Sequence, residues 1–402
     1  MKKICVIGLG YIGLPTASIL ATRGFHVVGV DVNAHVVKML NSGKVHIIEP
    51  DLDTVLSAAV GSKQLVARTA PEHADVFMIC VPTPMDPETK NADLSYVKAA
   101  TESILPFMRK GNLVIVESTI PPDTTENLVI RILKRGRLKI GTDILVAHCP
   151  ERVLPGKILT EMVQNHRIIG GFNPKSAELA RTLYQSFVKG EIFLTDLKTA
   201  EMAKLVENSY RDVNIAFANE VSALCEASGI DPWRLIELTN KHPRVKVLTP
   251  GPGVGGHCIA VDPWFLVERF PNEANLIRQA RQVNDARPAT IANKVLLAAK
   301  KRSAKVIGCL GLTYKANIDD IRESPALEIA RHLQNAFSGR LLVSDPYVKS
   351  VPGFHLVPWT ETVAQADVLV LLVDHREFLQ LPPKTRRGQV RIDTRGIWRI
   401  KP

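Results

Sequence analysis

The stretch that most restricts the fold is the opening one. KKICVIGLGYIGLPTASILATRG begins with an apolar, strand-like run, turns through Gly8-Leu9-Gly10-Tyr11-Ile12-Gly13, and continues as an apolar helical segment. A second strand-like run, HVVGVD, ends at Asp31, 18 residues after Gly13. A GxGxxG alone is weak evidence, because glycine is common in turns. Set between a strand and a helix, and followed at this distance by an acid, it predicts a dinucleotide-binding βαβ unit. The glycines let the backbone approach a pyrophosphate at the helix N-terminus, where unpaired N–H groups and the helix dipole favour an anion. A carboxylate at Asp31 would accept from a ribose 2′-hydroxyl and repel a 2′-phosphate, so NAD is expected rather than NADP. Asn33 is better placed than Asp31 to cap the helix of DVNAHVVKML.

Strand-like runs recur at VFMICVPTP (76–84), NLVIVESTI (112–120), DILVAHCPER (143–152), RIIGG (167–171) and EIFLTD (191–196), with helical stretches between several of them. That alternation predicts a parallel, doubly wound sheet whose ligands bind where strands end. Thr83, Thr119 and Glu151 fall just past such ends. Taken singly each could be a cap or turn residue; three together point to a site. From about residue 197 long helices take over. Met202, Val206, Val213, Phe217, Val221 and Leu224 recur at helical spacing and predict one buried stripe. Lys204, Asn208 and Arg211 share another face, for which periodicity alone gives a solvated surface. A second helical block, 273–302, ends in KKRSAK, after which AKVIGCLGL, RLLVSDP, DVLVLLVDH and VRIDTRG read as strands and SPALEIARHLQNAF as a helix. The expected fold class is α/β: an N-terminal Rossmann-like parallel sheet (1–196), a central long-helix region (197–302), and a second, smaller Rossmann-like α/β domain (303–402) that has no GxGxxG.

At 402 residues, 46% of them hydrophobic, the chain can bury a large core. No apolar run reaches the roughly 18 residues that a membrane span requires. Two lysines precede the first apolar stretch, as in a signal peptide, but the glycines and proline of residues 8–15 suit a turn better than an apolar helix. The net charge is +11, and most of the excess lies in residues 300–402, which suits a phosphate-bearing partner. Scattered basic residues without an RGG, RRM or zinc-finger pattern argue against nucleic acid, and a solvated surface is the commonest explanation of such charge. The six cysteines show no CxxC and no paired spacing, so no metal knuckle is expected, and a reducing compartment, the cytoplasm, fits best.

Five cysteines, Cys5, Cys80, Cys149, Cys225 and Cys309, lie in apolar strand-like or helix-like runs, where a small buried hydrophobe suffices. Cys258 differs. It closes PGPGVGGHC (250–258), nine residues with four glycines and two prolines. Such a loop brings backbone close to something, and the thiol with it. On spacing alone a packing role for Cys258 stands open beside a catalytic one. His257 next to it lacks further ligands at metal-site spacing.

With those residues in view, the chain resembles the UDP-glucose/GDP-mannose dehydrogenase superfamily along its whole length. The resemblance rests on GLGYIGLP, HIIEPDL, VPTP, VESTIPP, CPERVLPG, EMAKLVENSYRDVNIAFANE, KHPRV, PGPGVGGHCIAVDPWF and GLTYKANIDDIRESPA, which occur in the family's order. It implies oxidation of the C6 alcohol of a UDP-sugar to a carboxylate with two NAD+. Ala260, Trp264 and CPERVLPG point to N-acetyl-D-mannosamine as the sugar, since N-acetylglucosamine dehydrogenases tend to carry Pro where Ala260 stands. The product would supply a surface polysaccharide.

By the same resemblance Cys258 is the nucleophile, Lys204 the acid/base and oxyanion-stabilising residue, and Asn208 its helper. Glu151 and Asp262 correspond to acids that handle the hydrolytic water. Gly8, Gly10, Tyr11, Ile12, Gly13, Asp31, Thr83, Thr119 and Arg322 match NAD positions. Arg152, Val153, Lys204, Asn208, Arg211, His242, Arg244, Gly255, Tyr314 and Lys315 match substrate positions. The resemblance further implies a homodimer through the long helices, with His242 and Arg244 reaching into the neighbouring subunit. Three rivals remain: a UDP-N-acetylglucosamine 6-dehydrogenase, a two-electron dehydrogenase of the 6-phosphogluconate type with a structural Cys258, and a basic NAD-binding regulator without turnover.

Overall fold

The central strands are apolar at almost every position, and alternate side chains enter different cores. In β1 (Lys3–Ile7), Ile4 and Val6 join one buried cluster while Cys5 and Ile7 join another. The same split recurs in β4 (below), where Val76 and Met78 face one way and Phe77 and Ile79 the other. Residues alternate across a strand with period two, so a strand apolar on both faces must be covered on both faces, as in a doubly wound sheet. The computed structural model describes residues 1–379 and 388–398.

The chain divides into two compact units, residues 1–207 with 264–269, and residues 208–263 with 270–402. The first holds β1, β2 (His26–Val30), β3 (Leu65–Arg68), β4 (Val76–Ile79), β5 (Leu113–Val116), β6 (Leu145–His148), β7 (Arg167–Gly171) and β8 (Ile192–Asp196) in the order β3-β2-β1-β4-β5-β6-β7-β8. Every pair is parallel except β6 with β7, which meet antiparallel at Ala147–Gly171 and His148–Gly170. The strand order reverses between β1 and β4, and in such sheets the crevice at that point is the ligand site. Sequence patterning missed β3, a strand of four residues.

The second unit holds β9 (Val306–Leu310), β10 (Arg340–Ser344), β11 (Val368–Leu371) and β12 (Val390–Asp393), all parallel, in the order β10-β9-β11-β12. Ile307, Cys309, Val368 and Val370 fill one core, and Leu310, Leu369 and Leu371 a smaller one on the other face. The Asn275–Arg302 helix explains the basic run that ends it: Lys300, Lys301 and Arg302 occupy its last turn, where cations complement the dipole, and Ser303 leaves it in the left-handed region (φ 49°).

The Leu197–Ser228 helix carries the predicted apolar stripe, but the stripe is not buried within the chain. Val206, Phe217 and Leu224 are exposed, as is Tyr210 on the same side, while Met202, Val213 and Val221 are half-buried. Periodicity marks an apolar face without saying what covers it. Among the described residues no helix is long and apolar enough to cross a membrane.

Candidate functional site

In the first unit Gly8, Asp31, Thr83, Thr119 and Glu151 follow the C-terminal ends of β1, β2, β4, β5 and β6, neighbouring parallel strands, so they share one edge of the sheet. Gly8 has φ +91°, and a Cβ there would stand 2.8 Å from the Cys80 carbonyl oxygen. A Cβ on Gly13 would stand 1.8 Å from the Gly8 carbonyl oxygen, whereas one on Gly10 would meet no protein atom within 4 Å. Gly8 and Gly13 hold the turn closed; Gly10 leaves a clear approach to it. The Gly13–Thr22 helix starts at Ile12 with no side-chain cap and no acid in its first turn, which leaves its N-terminus suited to an anion.

Asp31 accepts from the Leu9 N–H (3.3 Å) and the Asn33 N–H (2.9 Å), and Asn33 caps the next helix through His35 N and Val36 N. Thr83 Oγ1 is buried with no hydrogen-bond partner, and Tyr11 is exposed. An open glycine turn, an uncapped helix start, an anchored acid and a buried hydroxyl awaiting an acceptor or donor together fit a dinucleotide.

Behind this edge lies a buried polar cluster that sequence patterning did not reveal. Glu117 accepts from Tyr184 Oη (2.5 Å), Cys80 Sγ (3.2 Å) and Thr16 Oγ1 (3.3 Å). Arg167 Nη1 lies 2.8 Å from Glu151 Oε2, an ion pair without hydrogen-bond alignment, and its guanidinium stacks over Tyr184. Burial raises the Glu117 carboxyl, and the nearby Glu151 adds to the shift. Two carboxyls and one guanidinium thus share a dry pocket, and Glu151 holds the direct ion pair. Its Oε1 also accepts from the Arg152 N–H. The Arg152 guanidinium is taken by Glu207 (3.0 Å from Nε, 2.5 Å from Nη2), and Val153 packs against the core.

Lys204 and Asn208 stand one turn apart on the Leu197–Ser228 helix. Lys204 is half-buried and Arg211 exposed, but Asn208 is 6% exposed and donates to Asp262 Oδ2 at 2.5 Å. The solvated surface expected from periodicity therefore fails at Asn208, because an acid 54 residues away covers it. Glu201, one turn before Lys204, accepts from the Asp123 and Thr125 N–H groups (2.6 and 2.7 Å), and burial pushes its carboxyl up to about 7.

The cysteine loop is anchored at its start. Gly251 donates to Asn219 Oδ1 (2.9 Å), and its carbonyl accepts from Arg287 Nε (3.2 Å). Asn219 bonds Asn284, which bonds Asp212, and Asp212 pairs with the buried Arg281. Further along, Gly255 and Gly256 lie against Tyr314 so closely that a Cβ on either would fall within 3 Å of it. At the far end the Cys258 carbonyl accepts from Val261 N and Asp262 N, closing a turn into the Asp262–Arg269 helix. Cys258 is exposed and the other five cysteines are buried; burial drives Cys5, Cys149 and Cys309 up to about 12, and Cys80 well above its ordinary value. The thiol in the glycine-rich loop is the one within reach of a ligand.

Elsewhere in the second unit, Lys315 and Tyr314 are half-buried and Arg322 bonds Asp320 (2.7 and 2.9 Å). His257 lies 3.8 Å from Asp320, and burial, with Arg322 nearby, lowers its imidazole. His242 and Arg244 are exposed on a loop closed by Asn240, which bonds the Val247 carbonyl and N–H.

Three stretches of the chain match the UDP-glucose/GDP-mannose dehydrogenase family: its NAD binding domain over residues 2–188, its central domain over 198–286 and its UDP binding domain over 308–400. The NDP-N-acetyl-D-galactosaminuronic acid dehydrogenase of Ralstonia nicotianae is 50% identical, across 100% of this chain and 97% of its own. The UDP-N-acetyl-D-mannosamine dehydrogenase of Yersinia pestis is 48% identical, across 99% of each. The structure of UDP-D-ManNAc dehydrogenase from Pyrococcus horikoshii is similar at a TM-score of 0.92 and 44% identity, across 100% of this chain and 97% of that one.

Proposed function

The chain belongs to the UDP-glucose/GDP-mannose dehydrogenase family and is an NAD-dependent nucleotide-sugar dehydrogenase, and from that premise we propose that it oxidises the C6 alcohol of UDP-N-acetyl-D-mannosamine to the carboxylate. The observation that carries the two-step chemistry is Cys258, exposed in an anchored glycine-rich loop while the other five thiols are buried. Bound NAD+ supplies the hydride acceptor of each step. Lys204 takes the proton of the C6 hydroxyl and stabilises the developing oxyanion, with Asn208, held by Asp262, assisting. The resulting aldehyde is a poor hydride donor until a nucleophile adds. The Cys258 thiolate forms a C–S bond to C6, giving a thiohemiacetal; loss of its C6 hydride gives a thioester. Water then cleaves the C–S bond, releasing the carboxylate and the thiol, with Glu151 and Asp262 handling the water's protons. A thiol of ordinary pKa about 8.5 needs a cation to ionise near neutrality, a role assigned to Lys204.

Gly8, Gly10, Gly13, Tyr11, Ile12, Asp31, Thr83, Thr119 and Arg322 are assigned to NAD. Arg152, Val153, Arg211, Gly255, Tyr314 and Lys315 are assigned to the UDP-sugar. His242 and Arg244 serve a second subunit's site in a homodimer formed through the exposed side of the Leu197–Ser228 helix. The mannosamine sugar draws its support from Ala260, Trp264 and CPERVLPG together with the Yersinia and Pyrococcus relatives.

Turnover with NAD+ tests both layers. Two NADH per sugar and a uronic acid product are expected; one NADH with accumulating aldehyde supports the two-electron dehydrogenase, and no NADH with any UDP-sugar supports the regulator. Cys258→Ala should lose well over about 10²-fold in turnover; near-normal turnover returns Cys258 to a packing role. Comparing kcat/KM for the UDP-linked N-acetylmannosamine, N-acetylgalactosamine, N-acetylglucosamine and glucose decides the sugar. A buried polar group left unpaired by the wrong epimer costs about 1–3 kcal/mol, so a rival that equals the mannosamine sugar overturns that choice alone.

A further inference from the structure

The second unit repeats the ligand edge of the first, atom for atom at its turn. After β1, Gly8 adopts φ +91° and donates to the Val30 carbonyl, Leu9 N donates to Asp31 Oδ2, and Asp31 accepts from the N–H two residues on. After β9, Gly311 adopts φ +91° and donates to the Ser344 carbonyl, Leu312 N donates to Asp345 Oδ2 at 2.7 Å, and Asp345 accepts from the Tyr347 N–H at 2.9 Å. Asp345 thus stands where an acid that holds a ribose stands in a dinucleotide fold. In this unit the place beside it is filled by the chain itself. The His375 ring is fully buried, with Nε2 3.1 Å from Asp345 Oδ2 and the Tyr347 ring stacked on it at 4.9 Å.

The tautomer of His375 follows from its partners. Nδ1 accepts from the Asn317 N–H at 3.0 Å, so in the neutral ring the proton is on Nε2, donated to Asp345, with Thr313 Oγ1 at 3.3 Å. Thr313 Oγ1 donates to the Lys315 carbonyl (2.8 Å), and Asn317 Oδ1 accepts from the Arg376 N–H (3.0 Å). Both ends of the Thr313–Asn317 stretch, which carries Tyr314 and Lys315, are therefore tied to one imidazole. Burial would raise the Asp345 carboxyl, but the bonds from His375, Leu312 N and Tyr347 N hold it below its usual range, so the anchor is anionic.

We propose that Asp345 and His375 are a positioning pair for the nucleotide: the acid of a duplicated ribose-type edge has been converted into an internal clamp, and the clamp fixes the Tyr314–Lys315 stretch against which UDP binds. It rests on the nucleotide-sugar reading above for the identity of the ligand. A histidine kept only for packing would be replaceable by any side chain of similar bulk; this one is defined by an acceptor at Nδ1 and a donor at Nε2.

The test is the Kd for UDP by titration calorimetry, which needs no turnover, alongside KM values for the UDP-sugar and NAD+. His375→Ala should weaken UDP and raise the UDP-sugar KM roughly tenfold while the NAD+ KM stays unchanged. Added imidazole should restore most of the loss by refilling the cavity. His375→Asn, whose carboxamide oxygen can take the place of Nδ1, should lie between the wild type and His375→Ala, whereas His375→Leu should not improve on alanine. UDP affinity unchanged in a folded His375→Ala protein, equal losses for UDP and NAD+, or leucine equalling asparagine would overturn the proposal. If His375→Ala does not fold, His375→Asn against His375→Leu and Asp345→Asn decide it. A wild type that binds UDP without turning over any UDP-sugar would overturn the catalytic reading and leave the clamp standing or falling on the UDP affinities.

Discussion

Gly255→Ala probes the link between packing and chemistry at the cysteine loop. A Cβ at Gly255 would lie 2.3 Å from the Glu323 carbonyl oxygen, 2.7 Å from Pro325 Cδ and 2.8 Å from Tyr314 Cβ. An ordinary contact begins near 3.4 Å, so the loop must retreat by about 1 Å. The obstacles are a backbone oxygen, a proline ring and a first side-chain carbon, none of which can swing aside by rotamer change. Overpacking of this kind costs roughly 1–3 kcal/mol, or about 2–4 °C of Tm per kcal/mol in a unit of this size. The larger effect falls on turnover, because Cys258 lies three residues along the same loop and a misplacement near 1 Å can cost on the order of 10²-fold. The expected result is NADH formation about 10²-fold slower, with a melting temperature lowered by only several degrees. The assay pairs NADH absorbance under saturating substrates with calorimetric melting. Turnover within about threefold of wild type in the folded variant would refute the argument, since it would mean that the loop can shift without moving the reacting thiol.

Gly10→Ala and Gly13→Ala should separate ligand from fold: the first meets no protein atom and should raise the NAD+ KM at unchanged Tm, while the second meets the Gly8 carbonyl oxygen at 1.8 Å and should lower Tm itself. Equal Tm losses would contradict this. The Glu201 carboxyl, raised from 4.5 to about 7 by burial, keeps a proton in the folded chain that the unfolded chain has released between those values. Stability should therefore fall as pH rises from about 4.5 to 7, by up to about 3 kcal/mol from this group, and denaturant titrations of Glu201→Gln should show a flatter slope over that window than wild type. Phe217→Arg should shift the chain to a smaller species in light scattering, as a dimer face through the exposed helix side requires; an unchanged mass would place the interface elsewhere. Mixing inactive Arg244→Ala with inactive Cys258→Ala subunits should restore part of the activity, because a mixed dimer with shared sites holds one intact site, and no recovery after demonstrated exchange would count against sharing.

Much of the fold was legible because its signals are local. Both βαβ openings, the apolar strands and the long helices follow from residue order and from periods of two and 3.6. So did the contrast between Cys258 and the other cysteines, since neighbours in sequence already show an apolar run or a glycine-rich loop. The resemblance then named residues, but not what holds them. What the tertiary structure alone decided are partnerships between residues far apart in the chain: Tyr184 with Glu117, Asn208 with Asp262, Arg281 with Asp212, His375 with Asp345. No spacing rule reaches across 30 to 69 residues, because which polar groups share a dry pocket depends on how strands are ordered and which helix covers them. The Leu197–Ser228 helix shows the same limit from the other side. Its period gave an apolar stripe, yet only the packed chain leaves Val206, Phe217 and Leu224 in the open while burying Asn208 on another face. A side chain's chemistry is set by its residue type, but its burial, and hence its charge and its reach, is set by what the rest of the chain brings against it.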